Sequence, residues 1–123
     1  MRGSPIGVVV ADDQEAFRRS ARAVIEATPG FAFLGEAESG EEALAIVSEL
    51  SPHLVLVDVR MPRIDGFETA RRLRSTHPAT TVILLSSDEV ADSIFDSCGA
   101  AAFVPKKEFG RAALRRLWDE HGA

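Results

Sequence analysis

Two hydrophobic rhythms alternate along the chain. Ile6–Ala11, His53–Val59, Thr81–Leu85 and Ala101–Val104 are short, nearly continuous apolar runs, and Phe31–Ala37 is a fifth, more mixed one. Continuous runs of this length fit strands buried on both faces of a parallel sheet. Between them, apolar residues recur at helical spacing. Phe17, Ala21, Val24 and Ile25 mark a helix over Gln14–Ala27, with its arginines on other faces. Ala43, Leu44, Val47 and Leu50 mark a second, and Ala70 and Leu73 a third over Phe67–Ser75. Val90, Ile94 and Phe95 mark a fourth over Asp88–Cys98, and Ala113, Leu114, Leu117 and Trp118 a fifth over Phe109–Glu120.

The punctuation agrees. Thr28-Pro29-Gly30, Ser51-Pro52, His77-Pro78 and Gly99 stop helices. Ser39, with Glu42 three residues on, predicts a capping box at the start of the second helix. Strands alternating with helices predict an α/β fold, a single doubly wound (βα)5 domain with a parallel five-stranded sheet and right-handed crossovers. Residues 1–5 read as a disordered lead-in and residues 6–121 as the domain.

Composition narrows the classes without changing that picture. The chain has 123 residues, 46% apolar and 27% charged, the balance of one globular domain. Its apolar runs fall short of a membrane span, and none has the form of a signal peptide. Cys98 is the single cysteine, which excludes an internal disulfide and fits a reducing cytoplasm. A net charge of −5 argues against direct nucleic-acid binding by this domain. Cys98 and Trp118 read as packing, Arg71-Arg72 and Arg115-Arg116 as solvated faces. His53, His77 and His121 have no ligand spacing.

Chemistry enters at the strand ends. Open α/β sheets place ligands at the carboxyl edge. There the first strand delivers Asp12 and Asp13, the third Asp58, the fourth Ser86 and the fifth Lys106. Three carboxylates in close company repel one another unless a cation or a proton intervenes. Mg2+ suits such hard oxygen ligands, whereas Zn2+ would want cysteine or histidine. Metal, ammonium and hydroxyl together suit a phosphoryl group, and Asp58 then reads as the nucleophile that accepts it. A lone strand-terminal Asp, Ser or Lys is ordinarily a turn or cap residue; five of them on four different strands are a constellation.

Those residues, with Met61-Pro62, Asp65-Gly66 and Phe103, resemble the receiver domain of two-component response regulators over essentially the whole chain. The resemblance implies a flavodoxin-like strand order, 2-1-3-4-5, and a role as a cytoplasmic signalling switch rather than an enzyme. It implies that Asp58 is phosphorylated by a sensor histidine kinase or phosphotransfer protein. Mg2+ would be held by Asp13, Asp58 and the backbone carbonyl of Arg60, with Asp12 acting through metal-bound water. Ser86 and Phe103 would be the switch residues, acting through the face built by the fourth helix, fifth strand and last helix on an output domain or protein target. The domain would be a monomer or a phosphorylation-dependent dimer. Arg60 and Asp88 flank the approach of a hydrolytic water, and their opposite charges suggest a gate on phosphoryl lifetime.

Within the family, the alternative is the receiver part of a longer DNA-binding regulator. Outside it, a small aspartyl-phosphate phosphohydrolase would need an acid where Arg60 stands. A flavodoxin would need a phosphate-binding loop where Asp12-Asp13 would repel phosphate.

Overall fold

The computed structural model describes residues 4–87 and 98–122. Five strands, β1 (Ile6–Ala11), β2 (Phe31–Ala37), β3 (Leu54–Asp58), β4 (Thr81–Ser86) and β5 (Ala102–Pro105), form one sheet in the order β2-β1-β3-β4-β5. Every pairing is parallel, as the continuous apolar runs predict. Four α-helices are described: α1 (Glu15–Ala27), α2 (Gly40–Leu50), α3 (Gly66–Thr76) and α4 (Arg111–His121). Residues 88–97, most of the expected helix over Asp88–Cys98, lie outside the described residues. So does most of the lead-in, residues 1–3.

The strand period of two splits the core. Val9, Ala11, Val55, Val57 and Leu84 point to the side covered by α2 and α3. Val8, Val10, Leu54, Leu56, Ile83 and Leu85 point to the side of α1 and α4. β3 is buried throughout, so its end carries Asp58 to the middle of the sheet edge with no conformational latitude.

Helix ends follow the punctuation with two refinements. The Ser39 side chain accepts from the Glu42 amide at 3.1 Å, but Glu42 Oε1 reaches the amide of Glu38, at 2.6 Å, rather than closing the box on Ser39. Asp65, expected only to hold the loop after β3, caps α3 by accepting from the Glu68 amide at 2.9 Å. Gly30 (φ 89°), just after α1, and Gly99 (φ 84°) adopt the left-handed conformation that glycine accepts readily.

Two side-chain placements depart from the periodicity. Leu50, on the expected apolar stripe of α2, is among the exposed large hydrophobics. Arg18, expected on an outer face of α1, is buried together with Ala21 and Ile25. Positions 18, 21 and 25 share one face of a 3.6-residue helix, so the arginine is in phase with the core.

Candidate functional site

At the carboxyl edge the strand ends meet as expected. Asp12 lies just past β1, Asp58 ends β3, Ser86 ends β4 and Lys106 follows β5 in a short 3-10 turn, Lys106–Glu108. One carboxylate oxygen from each of Asp12, Asp13 and Asp58 lies within 4.8 Å of the others. Asp12 is fully buried and Asp58 nearly so, while Asp13 is exposed, so the cluster opens to solvent on one side.

Lys106 supplies the counter-charge. Its Nζ stands 2.6 Å from Asp12 Oδ2 and 3.5 Å from Asp58 Oδ1. It also donates to Gln14 Oε1 at 3.3 Å, and it lies 4.6 Å from the centre of the Phe17 ring. Such a ring face attracts an ammonium, the more so when water is excluded. Gln14 and Phe17, both from the opening of α1, are site residues that sequence reasoning passed over. Phe17 read simply as a core position, and nothing in its spacing marks the contact with a lysine 89 positions further on.

The acidic cluster is under-compensated. Asp12 Oδ1 accepts from the Gln14 amide at 2.8 Å, but the buried Oδ2 has no aligned hydrogen-bond donor among the described residues, despite the nearby ammonium. Burial, then the neighbouring Asp12 carboxylate, pushes Asp58 up to about 6; Lys106 and the Arg60 backbone N–H oppose the shift. A hard divalent cation fits this donor set of three carboxylates with oxygens within 4.8 Å of one another.

Ser86 is buried at the end of β4, and its register partner on β5 is Pro105, next to Lys106. Phe103 is half-buried and packs on the α2/α3 side of the core. Ser86, Phe103 and Lys106 line a cavity of about 420 Å3 with Ser87, Pro105 and Lys107. Arg60 is exposed, directly after Val59. Asp88, its expected counterpart, lies outside the described residues.

Gly66 and Met61 explain the loop that follows Asp58. A side chain on Gly66 would run into the backbone carbonyl of Asp58 and the Cα of Val59, and the Gly66 amide donates to the Val59 carbonyl at 2.8 Å. Met61 is buried in the core below the loop. The turn is thereby pressed against the end of β3.

The family model described as "Response regulator receiver domain" matches residues 8–117. The chain belongs to the response regulator receiver family. It is 33% identical over 102 residues to the uncharacterized transcriptional regulatory protein YxjL of Bacillus subtilis, covering 83% of this chain and 47% of that protein. It is 36% identical over 84 residues to protein-glutamate methylesterase/protein-glutamine glutaminase 4 of Myxococcus xanthus, covering 68% of this chain and 24% of that protein. Among solved structures, it resembles a chain of the CheX-CheY-BeF3-Mg+2 complex from Borrelia burgdorferi with a TM-score of 0.81. The identity there is 25%, and 96% of this chain and 90% of that one are covered. The receiver spans less than half the length of these two curated relatives. No helix among the described residues is long and apolar enough to cross a membrane.

Proposed function

We propose that this receiver domain is a phosphorylation switch in which Asp58 takes a phosphoryl group from a sensor histidine kinase or phosphotransfer protein. The observation that carries the reading is the cluster of Asp12, Asp13 and Asp58, closed on one side by the Lys106 ammonium. In the metal-free site burial and Asp12 hold the Asp58 carboxyl up at about 6, so it is still ionised at neutral pH, the form that attacks phosphorus. An Asp58 oxygen attacks phosphorus in line, the P–N bond to the donor imidazole breaks, and its electron pair stays on the imidazole.

Asp12, Asp13, Asp58 and the backbone carbonyl of Arg60 are the residues that would hold Mg2+. When bound, Mg2+ supplies charge neutralisation between the carboxylates and the incoming phosphoryl oxygens. Lys106 would leave Asp12 to pair with one of those oxygens, and the Ser86 hydroxyl would donate to another. Drawing Ser86 inward re-packs its cavity-sharing neighbour Phe103. The phosphorylated domain thereby presents a changed face around β5 and α4 to its output.

The domain is a signalling switch, with only self-catalysed phosphoryl transfer and loss. It acts in the cytoplasm, as a monomer or a phosphorylation-dependent dimer. The exposed Arg60, together with Asp88, which lies outside the described residues, would slow the approach of water to the acyl phosphate. The domain's similarity to YxjL, a transcriptional regulatory protein, supports an output through transcription in a longer regulator, the receiver itself making no nucleic-acid contact. The test is phosphoryl transfer from labelled acetyl phosphate or a phosphorylated kinase in Mg2+. The wild type takes up label and Asp58→Ala does not; undiminished labelling of Asp58→Ala would refute the assignment.

A further inference from the structure

Arg18 lies outside the phosphoryl-accepting set, yet it is the buried arginine nearest that set in sequence. Its side chain is 10% exposed. From α1, Nη1 donates to the backbone carbonyl of Asp12 at 2.8 Å, and Nε to Glu36 Oε1 at 2.6 Å; Nη2 stands 3.9 Å from Glu38 Oε2. Burying a guanidinium is unfavourable unless it is paired and hydrogen-bonded, so this geometry is a maintained one.

The carbonyl it holds is a particular one. On both sides of β1 the strand register ends at Ala11, opposite Ala37 of β2 and Val57 of β3. The Asp12 amide still donates to the Ala37 carbonyl, at 3.0 Å, but the Asp12 carbonyl has passed the last register pair. It belongs to the peptide unit joining Asp12 to Asp13, whose carboxylate oxygens come within 4.8 Å of each other. A donor fixed to its oxygen sets the plane, and with it the relative directions of both acids.

We propose that Arg18 is a positioning residue for the cation site: by clamping the Asp12–Asp13 peptide to Glu36 of β2, it presets the carboxylates that bind Mg2+. The inference rests on the functional reading above. The planar fork is what the role requires, since one lysine ammonium on a flexible stem does not reproduce two fixed N–H directions. Partners that orient metal ligands typically contribute 10- to 100-fold to metal affinity.

The experiment is a Mg2+ titration of the intact chain, followed by the amide resonances of residues 12 and 13, for the wild type, Arg18→Met, Arg18→Lys and Leu117→Ala. Leu117→Ala opens a cavity under α4 and serves as a control for lost stability alone. The dissociation constant is expected to rise about tenfold in Arg18→Met and severalfold in Arg18→Lys. In Leu117→Ala it stays at the wild-type value. A folded Arg18→Met with wild-type affinity would overturn the inference, as would full rescue by lysine, or an equal loss in Leu117→Ala. If Arg18→Met does not fold, a wild-type affinity in Arg18→Lys overturns it alone. A wild type that shows no saturable Mg2+ response would instead remove the metal reading on which the inference stands.

Discussion

Asp58 is a carboxyl whose surroundings disfavour its charge in the absence of metal. A group whose folded pKa lies above its unfolded value stabilises the fold when protonated. Here that contribution is complete below the ordinary value of 3.8 and is lost as pH rises through about 6. Ionised Asp58 therefore weakens the metal-free fold near neutrality by about 3 kcal/mol relative to its protonated form. In chelator, Asp58→Asn is expected to unfold at a higher temperature than wild type at pH 8. The gap should narrow through pH 6 and close below pH 4. Thermal melts across that range check it, and a gap independent of pH would contradict it. In the wild type, Mg2+ should recover much of this loss, because a ligand that binds only the folded state adds stability by mass action.

At the scale of elements, the loop from Asp58 to α3 is pressed closely on the end of β3. Gly66→Ala would force a methyl group against the Asp58 carbonyl, with an expected cost of about 1–3 kcal/mol. It should also slow phosphoryl uptake, because the displaced backbone carries Asp58, the proposed nucleophile. Asp65→Ala removes only a cap, with a cost of about 1 kcal/mol and little change in uptake. Denaturant melts and acetyl phosphate labelling of the two variants separate these effects; equal uptake in both would reject the link. The elements themselves were legible because four of the five strands are nearly continuous apolar runs and α1, α2 and α3 each end on a marked stop. The constellation was legible because parallel topology brings strand ends together whatever the loops do. Arg18, Gln14 and Phe17 were obscure because their partners are a backbone carbonyl and a distant lysine, which leave no trace in local spacing. Arg18 did leave one signal, its phase with Ala21 and Ile25.

For the molecule as a whole, the two-sided core separates a chemical edge from the faces that report on it. Ser86 and Phe103 line one cavity and belong to different strands, β4 and β5, so in the proposed switch a shift at the first would be passed to the second. Beryllofluoride with Mg2+, a phosphoryl mimic, should therefore move amide resonances along β5 and α4 as well as at Asp58. It should do so far less in Ser86→Ala. Shifts confined to the immediate neighbours of Asp58 would deny the coupling. Such a switch works by changing the populations of two arrangements, and the phosphoryl group biases them only as far as it contacts them differently.

All of this depends on where the phosphoryl group goes. The most direct measurement is to treat the protein with acetyl phosphate and Mg2+, reduce the acyl phosphate with borohydride, and map the product by peptide mass spectrometry. The account predicts one modified position, residue 58, and none in Asp58→Ala. Modification at Asp12, Asp13 or Ser86 in place of Asp58, or no acyl phosphate at all, would contradict it.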